Sequence, residues 1–155
     1  MKKINWKKLF FYLAVTLGTG GLAAFLTMDS MQMYSSVNKP PLSPPSVLFP
    51  IVWSILYTLM AVSAYIVSES GCKNKNSSLV LYYVQLIVNF LWPIVFFNLE
   101  AFLFAFIWLI LLVILVLYMI ISFYRCKPIS AYLQIPYLIW LIFAAYLNFG
   151  VYLLN

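Results

Sequence analysis

The sequence predicts an all-α membrane protein: a bundle of five transmembrane helices with the N-terminus inside and the C-terminus outside. Of 155 residues, 66% are hydrophobic and only 8% charged, where a soluble domain carries about a quarter charged residues. Mean hydropathy is +1.03. Runs without Asp, Glu, Lys or Arg fall at about residues 9–28, 47–67, 79–97, 101–123 and 129–154. Each is long enough to cross ~30 Å of hydrocarbon at ~1.5 Å per helical residue. The runs are continuous rather than alternating, which selects helices over barrel strands. They form a single membrane domain that leaves no room for a soluble catalytic unit. Orientation follows from charge: Lys2, Lys3, Lys7, Lys8, Lys73, Lys75, Arg125 and Lys127 share one side and only Lys39 lies on the other, as the positive-inside rule requires of an N-in topology. Loops beside an anionic leaflet then account for the net charge of +6, so no nucleic-acid partner is implied.

The basic start and first apolar run have the form of a cleavable signal, but the run continues to Leu26, longer than a signal core, and a retained helix is expected. Within it Ala14 and Gly18, and Gly20 and Ala24, stand four apart. Small residues at that spacing let another backbone approach closely in a membrane. Packing inside the bundle is the expected use, with a dimer contact as the alternative; Gly20 and Gly21 also leave space for a ligand.

The outer loop, residues 29–46, holds Tyr34, Asn38 and Lys39 and then Pro40, Pro41, Pro44 and Pro45. Proline fixes φ and has no N–H, so the stretch from Pro40 to Pro45 is expected to be extended or turning, a stiff lid. Ser46 is the expected N-cap of the second helix, in which Trp53, Tyr57 and Met60 fall on one face. In the third helix Tyr82, Gln85, Asn89 and Trp92 share a face, and Pro93 is expected to bend the helix beyond them. An unpaired amide in hydrocarbon costs several kcal/mol, so Gln85 and Asn89 should point inward, to another helix, water or a ligand. The fourth helix has no polar side chain before Tyr118 except the indole of Trp108 and reads as lipid-facing or oligomer-facing. In the fifth, Tyr137, Trp140, Ala144 and Asn148 share a face. Cys72 and Cys126 both lie on the predicted inner side, where thiols stay reduced, so no disulfide is expected.

These faces predict an outward pocket under the proline loop. Tyr34 and Pro44 come from the lid; Trp53, Tyr57, Gln85, Asn89, Trp92, Tyr137, Trp140, Ala144 and Asn148 come from the helices. Aromatic and uncharged, with a few hydrogen-bonding groups, such a pocket suits a flat, mostly apolar ligand. The chain has no histidine, and its acids are only Asp29, Glu69 and Glu100, outside the apolar runs. Proton-coupled pumping, hydrolysis and metal-dependent catalysis are therefore not expected, and neither is a resident metal or cofactor. Haem ligation by histidine or cysteine in the pocket is excluded, ligation by tyrosine is not.

Three stretches, PPLSPPSVLFPIVWSILYTLMAVSAY, QLIVNFLWPIVFF and PYLIWLIFAAYLNF, resemble in order the motifs of the translocator protein family, also called the peripheral benzodiazepine receptor or tryptophan-rich sensory protein family. The resemblance covers essentially the whole chain. It implies a five-helix protein, often dimeric, that binds porphyrins and related tetrapyrroles, benzodiazepine-type and isoquinoline carboxamide drugs and, in animal members, sterols. It places the ligand under the first loop, with Trp53, Asn89 and Trp140 matching the family's motif residues. The function it implies is a tetrapyrrole-binding receptor or translocator. Light-dependent oxidative breakdown of protoporphyrin IX, with Trp53 and Trp140 as the catalytic residues, is one alternative, and a partner-binding scaffold is another. One departure concerns sterols: Val151 and Tyr152 are followed by Leu153, Leu154 and Asn155, without the Lys or Arg that completes the animal cholesterol motif. The basic N-terminus fits a bacterial plasma membrane.

Overall fold

The computed structural model describes residues 3–155, so Lys2 of the basic end lies outside them. The long helices are α1 (Trp6–Thr27), α3 (Leu48–Ser68), α4 (Lys75–Pro93), α5 (Phe102–Cys126) and α7 (Ile135–Leu154), with short helices α2 (Met31–Ser36) and α6 (Pro128–Tyr132) between them. No strand occurs among the described residues. Among the described residues, five stretches are long and apolar enough to cross a membrane: Trp6–Ser36, Leu48–Ser68, Lys75–Asn98, Phe102–Cys126 and Pro128–Leu154.

Asn5 caps α1, its side-chain oxygen accepting from the Lys8 amide at 3.2 Å. Lys8 in turn pairs with Glu69 at 2.7 Å, fastening the start of α1 to the end of α3. Further along α1, the hydroxyls of Thr16 and Tyr82 share a hydrogen bond that ties α1 to α4. Of the two small-residue pairs, Ala14 and Gly18 are exposed, while Gly20 meets α3. A Cβ at Gly20 would stand 2.3 Å from Cε2 of Tyr57, closer than any carbon pair tolerates, so only glycine lets the two helices close here.

Several expectations are corrected. The loop read as residues 29–46 begins later: residues 28–36 hold no proline and continue α1 as a 3-10 turn, Met28–Ser30, and then α2, whereas residues 38–45, which carry the four prolines, are extended or turning as expected. Ser46 does not cap α3. Val47 takes that position without a side-chain bond, and the turn carbonyls of Pro45 and Ser46 accept from the Leu48 and Phe49 amides at 3.0 and 3.3 Å. Nor is α5 merely lipid-facing. Ala105, Leu109, Leu112, Val116, Met119 and Phe123 form a fully buried stripe against α4 and α7, while Phe104, Ile107, Leu111 and Ile114 stay exposed. The fifth span is interrupted at Leu133 and Gln134, which separate α6 from α7. Finally, Cys72 and Cys126 are joined in a disulfide, contrary to the free thiols expected. The turn after α3 and the last turn of α5 meet with the two Cα atoms 5.1 Å apart, well within disulfide reach; this proximity, not the compartment, decides the pairing.

Pro93 closes α4, and Ile94–Asn98 winds on as a π-helical turn, a geometry that is rare and frequent at functional segments.

Candidate functional site

The proline segment is fastened to the end of α7. The Asn38 amide donates to the Asn155 side chain at 3.0 Å, and the Asn155 amide group returns a bond to the Asn38 carbonyl at 2.9 Å. Pro40 is buried on Gly150, where a Cβ would stand 2.4 Å from its ring. The Tyr146 hydroxyl donates to the Pro41 carbonyl at 2.8 Å. Tyr34 donates to the Pro44 carbonyl at 3.2 Å, and the Lys39 ammonium lies 4.9 Å over the Tyr34 ring while donating to the Tyr34 carbonyl at 2.7 Å. The lid is thus held from both ends.

Beneath it, α1, α3 and α4 enclose a cavity of about 290 Å³, at the lower edge of the ~300–1,000 Å³ typical of small-molecule sites. Gly20, Ala23, Ala24 and Thr27 line it from α1; Phe49, Pro50, Trp53 and Tyr57 from α3; Asn89, Trp92, Pro93 and Phe97 from α4 and the π turn. Met28 and Met31 complete the lid side. No charged side chain takes part. Ala24, Met28 and Pro50 are exposed, so the mouth opens between α1 and α3, on the flank of the bundle.

The polar groups inside are few and fixed. Asn89 donates to the Tyr57 hydroxyl at 3.0 Å, and among the described residues no side chain donates to its carbonyl oxygen. The Thr27 hydroxyl is used by the Ala23 carbonyl at 2.9 Å. Trp53 lies tilted against Tyr57 with ring centres 5.3 Å apart, and its edge meets Tyr137 at 6.2 Å. Trp92 stacks on Phe96 at 5.4 Å and donates to Asn148 at 3.1 Å; Asn148 donates onward to the Phe102 carbonyl at 2.8 Å.

The predicted site residues therefore divide. Trp53, Tyr57, Asn89 and Trp92 line the cavity. Tyr34, Ala144 and Asn148 line a separate cleft of about 20 Å³ that shares Phe49, Trp92 and Phe97 with it. Gln85 and Tyr137 line neither: both are buried, and the Tyr137 hydroxyl donates to the Gln85 carbonyl at 2.8 Å. Pro44 also lines neither and acts through its carbonyl. Trp140 is half-buried, edge-on to Phe49 at 6.0 Å. Its indole N–H is buried and has no hydrogen-bond partner among the described residues, a condition shared by the Gln134 amide.

Residues 10–154 match the family model of the TspO/MBR family. The chain belongs to the TspO/MBR family. "Tryptophan-rich protein TspO" of Archaeoglobus fulgidus is 38% identical over 153 residues, covering 98% of this chain and 99% of that one. "Protein CrtK" of Rhodobacter capsulatus is 39% identical over 124 residues, 79% of this chain and 78% of the relative. The human "Translocator protein" is 32% identical over 145 residues, 92% and 86% respectively. The chain is accordingly a TspO-type integral membrane protein.

In this TspO/MBR protein the residues most easily missed are Phe49, Ala23, Thr27 and Phe97. Three of them had a signal. Phe49 precedes Trp53 and Tyr57 at the same four-residue step, and Ala23 and Thr27 extend the Gly20 face at i+3 and i+7. Phe97 had none, because the π turn shifts the face it occupies.

Proposed function

We propose that this protein is a membrane receptor or translocator that binds porphyrins and related tetrapyrroles, and drugs of benzodiazepine or isoquinoline carboxamide type, in the cavity between α1, α3 and α4. One observation carries the reading: the cavity is uncharged, and the rings of Trp53, Tyr57 and Trp92 converge there with the single amide of Asn89. Flat conjugated ligands are held by such stacking surfaces and oriented by one or two hydrogen bonds. A tetrapyrrole exceeds the closed volume. Phe49 lies between the cavity and the cleft carrying Ala144 and Asn148, and its movement merges the two. The same movement uncovers Trp140, whose unpartnered N–H then has a ligand acceptor to meet. Dimerisation through an exposed apolar helix face, and residence in a bacterial plasma membrane, belong to the same reading.

Binding is tested by titrating protoporphyrin IX into purified protein in darkness. Saturation at one site per chain, weakened in Asn89→Ala and Trp140→Phe, is the expected result; non-saturable partition equal to that of empty micelles would contradict it. A second reading, light-dependent oxidation of bound protoporphyrin IX, is favoured by the contact of Trp53 with Tyr57 and Tyr137, which gives an indole near the ligand neighbours from which to recover an electron. In that case Trp53→Phe and Trp140→Phe retain most binding in the dark and lose protein-dependent bleaching under illumination in air. The remaining reading, a scaffold with an incidental pocket, predicts ordinary porphyrin affinity even when Trp53, Asn89 and Trp140 are replaced together.

A further inference from the structure

At the end of the bundle opposite the proline lid lies a second cavity, unlike the first in every chemical respect. It is about 530 Å³ and is lined by Lys73, Asn74, Ser122, Arg125 and Lys127 around the Cys72–Cys126 disulfide. Three cations surround one space, and no carboxylate is among its lining residues. Like charges gathered in this way repel, and here covalent structure overrides the repulsion. The disulfide joins the residue before Lys73 to the residue between Arg125 and Lys127, so the three side chains stay together.

Beside it runs an apolar groove of about 210 Å³ on the flank of the bundle, lined by Ile120, Ile121, Tyr124, Tyr132 and Ile135. Arg125 belongs to both linings. A cationic basin at the end of membrane-crossing helices, continuous through one arginine with an apolar groove along those helices, is complementary to an amphiphile with an anionic head.

We infer that this end of the protein is a binding site for one anionic glycerophospholipid, its phosphate held by Lys73, Arg125 and Lys127 and an acyl chain lying on Ile121, Tyr124 and Tyr132. Arginine and lysine suit the head because a guanidinium bonds phosphate oxygens in pairs and an ammonium adds a point charge. General attraction of basic loops to an anionic leaflet gives about 1 kcal/mol per cation, about fivefold in affinity. A built site differs from it in charge position, stoichiometry and dependence on the groove.

The test is native mass spectrometry and titration with phosphatidylglycerol, phosphatidylcholine and soluble glycerol 3-phosphate. Wild type is expected to retain one phosphatidylglycerol in preference to phosphatidylcholine. Arg125→Gln and Lys73→Gln each weaken it about fivefold or more, and Lys7→Gln, an exposed cation away from the basin, leaves it unchanged. Ile121→Ser weakens phosphatidylglycerol without changing glycerol 3-phosphate. Equal retention of the two lipids, or the same loss in Lys7→Gln as in Arg125→Gln, overturns the inference. Glycerol 3-phosphate bound as tightly as the lipid overturns the lipid assignment in favour of a free phosphate. Lys73 lies in a loop outside the helices, so its variant stands as the folding-neutral check on Arg125→Gln.

Discussion

Replacing Gly20 by alanine adds one methyl group at the point where α1 crosses α3. The new Cβ falls 2.3, 2.6 and 2.9 Å from three atoms of the Tyr57 ring. That ring cannot swing freely, since it is 8% exposed, packs on Trp53 and accepts the Asn89 bond at 3.0 Å. Overpacking of this kind costs ~1–3 kcal/mol, and the displaced Asn89 bond adds about 1 kcal/mol. Better helix propensity returns about 0.5–1 kcal/mol. The net expectation is a loss of about 1–3 kcal/mol. Gly18→Ala is the internal control, because nothing lies within 4 Å of its Cβ position, and it should gain about 0.5–1 kcal/mol. Thermal unfolding of both variants in the same detergent, followed by tryptophan fluorescence, gives the two signs. Dark protoporphyrin binding should weaken in Gly20→Ala alone, since Tyr57 is pushed into the cavity. Stability changes of equal sign and size at the two glycines would refute the packing argument.

Gly150→Val places a branched side chain where a Cβ already stands 2.4 Å from Pro40. The lid should lift, and chymotryptic cleavage after Leu42, which is 83% exposed, should accelerate about tenfold for each ~1.4 kcal/mol of docking lost. Leu42 holds φ at 68°, a left-handed conformation costing a side-chain residue about 1–2 kcal/mol; Leu42→Gly should therefore stabilise the lid, read as slower proteolysis elsewhere in the loop. Alkylation of denatured protein should label neither Cys72 nor Cys126 until reductant is added. Opening this bridge, which spans 54 residues, should lower stability by at most about 4 kcal/mol.

The five spans were legible because hydropathy and helix length constrain a membrane chain strongly, and the loop prolines made the lid visible as a rigid element. Within the spans, periodicity located Trp53, Tyr57, Asn89 and Trp92 on cavity-facing sides. The same stripes could not separate a cavity wall from a packed interior: Gln85 and Tyr137 lie on those faces, yet satisfy each other at 2.8 Å. Helix α5 misled for a related reason. With apolar residues all round, its buried stripe from Ala105 to Phe123 differs from its exposed face in contact and not in polarity. The disulfide was hidden because residues 72 and 126 are brought together only by the packing of α4 and α5. The π turn after Pro93 likewise rotates Phe97 into the cavity by a register shift that no 3.6-residue pattern contains.

If the cavity between α1, α3 and α4 holds a tetrapyrrole, blocking its mouth must abolish binding. Ala24 lines its mouth and is otherwise exposed, so Ala24→Phe fills the entrance without crowding the core. The most direct measurement is a dark fluorescence titration of protoporphyrin IX with wild type and Ala24→Phe, alongside melting curves for both. Saturable one-site binding by wild type, lost in a variant that melts at the wild-type temperature, is the expected result. Undiminished saturable binding by Ala24→Phe would place the ligand elsewhere and contradict it.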